Sequence, residues 1–430
     1  MTQQLASTLT AEKPNQGHEI PSHAPQLRIF IFALFFIFGG ITSLNDVIIP
    51  KLKDLFVLTY GEAMLVQSAF FAAYFIVSLP AAAIVRRFGY MRTAVIGLLT
   101  MTAGCLLFVP ASASGVFITF LVALFVLASG ITIVQVVANP LICLLGAPST
   151  AHSRLTFAQA FNSLGTAVFP YVGSILILGS LATVDQKALS GAALEAYRAA
   201  ETQVVFRTYL GLALAIGFVA VMVWIWRKNL VETPAESTST WRAFDLLGRP
   251  RFGMGALSIF LYVGGEVAIG SVIVNYLMQS DVMGLGAEAA GKNVPLYWGG
   301  AMVGRFIGAY LLRVFSPGKL LACAAGGVIA LLLISANTSG TVSGYSLLAI
   351  GLFNSIMFPT IFSLASEGLG KRAAEGSGII CMAIVGGAIV PLFTGYAADF
   401  VGLKAALAVP AICYAFILGF GINARRPVHS

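Results

Sequence analysis

The chain has 430 residues, 58% hydrophobic and 10% charged, where soluble domains carry about a quarter charged residues. That excludes a soluble globular protein. The formal charge of +8 follows membrane topology along the chain and so gives no ground for expecting a nucleic-acid partner. Cys105, Cys143, Cys323, Cys381 and Cys413 lie in apolar runs without paired spacing and read as packing residues. His18, His23, His152 and His429 fall in tails or a loop, so a His-based metal or triad site inside the membrane is excluded.

Residues 1–26 are polar and lack an apolar core ahead of a cleavage signal, so they read as a cytoplasmic tail. Apolar stretches of about 20 residues, the length that crosses a hydrocarbon core, then recur along the chain. Twelve spans are predicted, at 28–50, 62–85, 93–111, 115–145, 154–179, 204–226, 254–279, 295–313, 319–337, 343–367, 375–399 and 402–424. The chain therefore reads as an all-α membrane protein with twelve transmembrane helices in two six-helix bundles. The predicted bundles are 27–226 and 251–424, joined by a cytoplasmic linker at 227–250 and followed by a tail at 425–430. The linker turns amphipathic around Trp241 to Leu247, and the outer 180–203 loop is expected to carry a short surface helix.

In span one, Asn45 and Asp46 fall at membrane depth, with Pro50 four residues after the acid. A carboxylate in hydrocarbon costs a few kcal/mol, so it is expected to face protein or a water-filled cavity. Pro50 lacks the N–H that the Asp46 carbonyl would use, so a frayed helix beside a titratable group is predicted.

Span four places Gln135 and Asn139 on one face at i, i+4, and Pro140 frees the Val136 carbonyl. Span five places Gln159 and Asn162 on one face at i, i+3. Amides donate and accept at once, which suits a neutral, hydroxyl-rich ligand; the alternative is glue between helices.

The second half carries Glu266 and Asn275 in span seven, Arg305 in span eight and Asn354 in span ten. Tyr262, Tyr276, Tyr297, Trp298 and Phe358 are the aromatics expected to offer faces to a ring. Glu266 and Arg305 either neutralise each other or act directly on substrate and ion. Glu367 and Asp399 read as solvated or capping residues near span ends.

Basic residues set the orientation. Seventeen of them, among them Arg28, Arg86, Arg154, Arg251 and Arg372, fall on the side of the tails, against six on the other, which puts both termini in the cytoplasm. Trp224 and Trp226 beside Arg227 form an interfacial anchor at that face. The halves repeat: Gly165 and Gly386 stand 221 residues apart, Pro140 and Pro359 219, and Gly39-Gly40 and Gly264-Gly265 225. Near-constant offsets at matching span numbers predict parallel six-helix repeats.

The chain resembles the fucose–proton symporter branch of the major facilitator superfamily, particularly its glucose/galactose members, from span one to span twelve. The resemblance rests on Leu44-Asn45-Asp46 with Pro50, Val66-Gln67-Ser68-Ala69-Phe70-Phe71, Ala138-Asn139-Pro140 and Gln159-Ala160-Phe161-Asn162-Ser163. Tyr262-Val263-Gly264-Gly265-Glu266 and Phe358-Pro359-Thr360-Ile361-Phe362-Ser363 extend it into the second half. The superfamily signature between spans two and three is degraded: Arg87-Phe88-Gly89 survives, but Arg86 stands where the signature has an acid.

The resemblance implies a monosaccharide importer working by alternating access in the inner membrane of a bacterium. It would be a monomer in a lipid bilayer, without cofactor or metal, and driven by H⁺ or Na⁺. Asp46 and Glu266 are its expected coupling residues. Its expected sugar contacts are Asn45, Gln135, Asn139, Gln159, Asn162, Asn275, Trp298, Arg305 and Asn354. The branch pairs the span-one Asp with a span-four Glu, whose place Gln135 takes here. A two-carboxylate relay is therefore not expected. A drug or organic-cation exporter using Asp46 as counter-charge is the rival within transport. A membrane enzyme is not expected, for want of a nucleophile paired with a base.

Overall fold

The structure is a computed structural model that describes residues 25–55, 60–114, 116–173, 191–227 and 240–424. The first half contains α1 (Pro25–Leu55), α2 (Tyr60–Phe88), α3 (Tyr90–Ser114), α4 (Phe117–Leu144), α5 (Ala151–Gly173) and α6 (Ala192–Trp226). The second contains α7 (Pro250–Met278), a short α8 (Ala287–Gly291), α9 (Val294–Val314) and α10 (Pro317–Asn337). Its last three passages are each built of two pieces. These are α11 (Gly340–Asn354) with α12 (Met357–Ser366), α13 (Ala373–Ala383) with α14 (Gly386–Val401), and α15 (Leu403–Ala406) with α16 (Ala408–Ala424). Every predicted span has its helix, giving twelve passages in two six-helix bundles.

Among the described residues, nine helical segments are long and apolar enough to cross a membrane by length and composition. Three passages are not among them: α1, whose described apolar stretch Arg28–Ser43 is shorter, and α5 and α9, which carry Gln159 and Asn162, and Arg305 and Arg313. In α5 and α9 the polar side chains reach other helices, Asn162 to α1 and Arg305 to α5, and so find partners that lipid cannot supply.

The repeat is visible in the packing. A Cβ on Gly165 would sit 2.1 Å from Phe36 O, and one on Gly386 would sit 2.0 Å from Phe260 O. The same crossing is thus used by α5 on α1 and by α14 on α7, and at each only glycine lets the backbones approach so closely. Gly39 and Gly264 flank the two crossings, tight against Asn162 and Val390 respectively.

Four features differ from the sequence reading. The α1 backbone stays helical through Pro50 to Leu55, so no fraying is seen there. Helix α6 begins at Ala192, which makes the expected surface helix continuous with span six; residues 174–190 lie outside the described residues. Span ten breaks at Ser355–Ile356, which makes Pro359 a first-turn residue of α12, where a missing N–H is tolerated. Span eleven breaks at Ile384–Val385, where i→i−3 bonds from Ile384 to Cys381 O (3.2 Å) and from Val385 to Met382 O (3.3 Å) replace the α-helical pattern.

The bundles meet through α2 with α13, α4 with α13, and α5 with both α9 and α12. These contacts concentrate toward the end of the molecule that carries Arg86, Arg154, Arg251 and Arg372, hereafter the basic face. Of the linker, Thr240–Gly248 forms a 3-10 stretch that buries Ala243 and Leu246 against α7, α13 and α2. Residues 228–239 and the two tails, 1–24 and 425–430, lie outside the described residues. At the end of α6, the Arg227 guanidinium stacks 3.7 Å from the Trp224 ring centroid, as an interfacial anchor would.

Candidate substrate pathway between the bundles

Gln135 is buried on α4, and its Oε1 accepts a 2.8 Å hydrogen bond from the Tyr74 hydroxyl of α2. Gln159 is buried on α5. One turn on, Asn162 Nδ2 donates to Phe35 O of α1 at 3.3 Å, pinning the close α1–α5 crossing. Gln135 lies nine residues from the basic end of α4 and Gln159 eight from that of α5, so the two amides sit at similar depth. Asn139 is fully buried, and neither atom of its amide has a hydrogen-bond partner. Each buried polar atom left unpaired costs about 1–3 kcal/mol.

The second half builds a network around Asn354, which is also fully buried. Asn354 Nδ2 donates to the Tyr297 hydroxyl at 2.9 Å, and the Tyr414 hydroxyl donates to Asn354 Oδ1 at 2.9 Å. The Tyr262 hydroxyl lies 2.8 Å from Glu266 Oε1 and 3.1 Å from Asn354 O. Glu266 is half-buried near the middle of α7. Tyr262, Tyr276 and Tyr297 are buried in the bundle core, so they serve as network donors and packing rather than open ring faces. Tyr276 belongs to a separate knot, donating to Ser335 O at 2.8 Å.

Arg305 joins the halves. From α9 its Nη1 donates to Gln159 O of α5 at 3.1 Å and to Ser163 Oγ, and its Nε approaches Ser355 O at 3.4 Å. The two charges suspected of pairing are therefore engaged elsewhere: Glu266 takes the Tyr262 hydroxyl, and Arg305 reaches across to α5. Trp298, nearly half exposed, stands edge-on to Tyr297. Asn275 is exposed close to the α7 end remote from the basic face, about 14 Å along the helix from Glu266. The side chains of Asn45, Asp46 and Gln67, and Pro50 with them, lie outside the described residues.

Closer to the basic face, three polar contacts seal the divide. Arg86 of α2 and Glu375 of α13 form a buried ion pair at 2.6 Å. Ser153 Oγ donates to Ala309 O at 2.6 Å. His152 contacts Ser363 Oγ through Nδ1 at 2.5 Å and Glu367 Oε1 through Nε2 at 3.1 Å. The sequence reading of His152 as a loop residue is thus corrected. It is the second residue of α5 and buried between the halves, because α5 starts three residues earlier in the structure than hydropathy alone suggested. Glu367 caps the α12 end and also pairs with Arg251, and Asp399 is exposed. His152 and the Arg86–Glu375 pair are functional candidates that hydropathy did not single out. The charge reversal at Arg86 was the only sign of any of them.

Outside the spans, Arg372 ties the linker to this seal. It bonds Asp245 Oδ1 at 2.6 Å and Glu375 Oε2 at 2.7 Å. The Arg372 hydrogen bond holds the Asp245 carboxyl below its usual range, and Arg372 is itself shifted upward by Asp245.

Residues 31–384 match the family model described as the Major Facilitator Superfamily. A glucose/galactose transporter of Brucella abortus is 47% identical over 415 residues, covering 96% of each chain. An L-fucose-proton symporter of Escherichia coli is 34% identical over 401 residues, covering 90% of each. A crystal structure of FucP, a transporter of the same superfamily in the outward conformation, superposes with a TM-score of 0.84. It is 31% identical and covers 93% of this chain and 99% of its own.

Proposed function

The chain belongs to the Major Facilitator Superfamily and is a multi-pass membrane transporter, not an enzyme; from that premise we propose that it imports a monosaccharide by proton symport. Glucose and galactose are the first candidates, because the Brucella relative bears their names over nearly the whole chain. The observation that carries the reading is the Arg305 bridge to Gln159 O and Ser163 Oγ. It brings the polar middle of the second bundle against the amide face of the first, the place where an alternating-access carrier holds its substrate. Gln135, Asn139, Gln159 and Asn162 supply paired donors and acceptors for sugar hydroxyls. Asn45, Arg305, Asn354, Trp298 and Asn275 are its further contacts along the path.

Asp46 is the coupling acid, and Glu266 shares the work. The geometry around Tyr262 supports a proton on Glu266. One hydroxyl faces two acceptors, a carboxyl oxygen and Asn354 O, and has a single proton to give. With Glu266 protonated, the carboxyl donates to Tyr262 and Tyr262 donates to Asn354 O, so every group is satisfied. With Glu266 ionised, one acceptor goes short. The carrier works as a monomer in a bacterial inner membrane, with the basic face and both termini in the cytoplasm. The sealed basic face then corresponds to a state open to the outside.

Uptake from a panel of sugars into sealed proteoliposomes, under separately imposed proton and sodium gradients, tests this reading. Accumulation of glucose or galactose under the proton gradient alone is expected. Accumulation under sodium alone would replace the coupling ion, and export of organic cations without sugar uptake would replace the function.

A further inference from the structure

Pro140 has no N–H for the carbonyl of Val136, four residues earlier in α4, so helix geometry leaves that acceptor unpaired. The donor that meets it comes from the other bundle. Ser377 Oγ of α13 lies 2.9 Å from Val136 O, and both residues are fully buried. Adjacent Gly378 presses on α2, where a Cβ would stand 2.8 Å from that of Ala82, so the hydroxyl is held firmly at the divide. A related arrangement occurs at the repeat-equivalent proline. Pro359 stands in the first turn of α12, and Ser355 O, in the break four residues before it, receives Arg305 Nε at 3.4 Å while the same guanidinium bonds α5. In each half, a side chain that ties the bundles together attends the carbonyl four residues before a span proline.

We infer that Ser377 is a positioning residue of alternating access, whose hydroxyl satisfies the Val136 carbonyl only while the basic face is closed. When α13 leaves α4, water reaches that carbonyl and the hydroxyl is no longer required. The serine therefore favours the closed state by the cost of burying a bare carbonyl. The inference rests on the alternating access of the proposed carrier and is independent of which sugar it moves.

The test is a distance distribution between spin labels at Ser149 and Lys371, exposed residues of the two halves at the basic face, in protein without sugar. Ser377→Ala should lower the closed-to-open ratio by about 5- to 100-fold. Ser377→Thr keeps the hydroxyl and should stay near the parent. In a Pro140→Ala background, residue 140 offers its own N–H to Val136 O, and Ser377→Ala should then shift the ratio less than about 2-fold.

Equal shifts in both backgrounds would reduce Ser377 to packing and overturn the inference, as would no shift in the parent. Should Ser377→Ala alone fail to fold, the double variant must fold, because its carbonyl is satisfied; failure of both also overturns it. Distances read the two states without any transport, so an error about the sugar would leave this result standing.

Discussion

Arg86 Nη1 lies 2.6 Å from Glu375 Oε1, with both side chains buried, and the pair joins α2 of one half to α13 of the other. Removing one partner from a buried ion pair leaves a charge without compensation, typically at about 3–5 kcal/mol. Because the pair spans the divide, that cost falls on the closed basic face and not on either bundle alone. Arg86, which stands where the superfamily signature has an acid, finds its own acid across the divide in Glu375.

Reversing Arg86 should therefore open the basic face. A cysteine at Ser78, a buried position on α2, should react with a membrane-impermeant maleimide at least about tenfold faster in Arg86→Glu than in the parent. Adding Glu375→Arg should recover part of the protection. Recovery is partial because Arg372, 2.7 Å from Glu375 Oε2, would then face a like charge.

The two acids should separate by assay. Asp46→Asn should abolish gradient-driven accumulation while leaving sugar exchange measurable, since exchange needs no net proton movement. Glu266→Gln should lower accumulation while preserving affinity within about tenfold, because an amide still donates to Tyr262. Full accumulation in both variants would remove the acids from coupling.

Glycine spacing predicts where added bulk is harmful. Gly165→Ala places a methyl 2.1 Å from Phe36 O, a backbone atom that cannot turn aside. The expected loss is about 1–3 kcal/mol or more, read as a lower thermal midpoint in detergent. Gly386→Ala should behave alike against Phe260 O at 2.0 Å. Gly395→Ala, which meets nothing within 4 Å, should leave the midpoint unchanged.

Those glycines also show what was legible in the sequence. Hydropathy gave twelve spans, because that signal is local to a single helix. The repeat was legible because equal crossings demand equal small residues, as Gly165 and Gly386 show. Pro140 announced a free carbonyl by its chemistry, but its partner, Ser377, stands 241 residues away and only tertiary packing brings it there. The same limit hid the targets of Arg305, whose nearest opposite charge in a reading by depth was Glu266. Breaks in spans ten and eleven escaped notice because the segments stay apolar through them, while Pro359 and Pro391 stand three to seven residues downstream.

Acid should loosen the linker. The folded Asp245 carboxyl titrates below its usual value of 3.8 because Arg372 donates to its anion. A depressed carboxyl stabilises the docked state above 3.8, and the contribution is lost as pH falls through the lower folded value. Hydrogen exchange of residues 240–248, corrected for intrinsic rates, should be flat from pH 7 to about 5 and rise below about 4. Asp245→Asn should remove the step. A step of equal size in that variant would assign it elsewhere.

If sugar and proton enter together, the proton itself can be followed. Proteoliposomes containing the protein and an internal pH indicator, at equal pH inside and out and with potassium and valinomycin holding the potential inside negative, would receive external glucose or galactose. Proton symport should give prompt acidification of the lumen that requires the sugar, disappears in Asp46→Asn and is indifferent to sodium. Sugar entry with no change in internal pH, or acidification that proceeds without sugar, would contradict it.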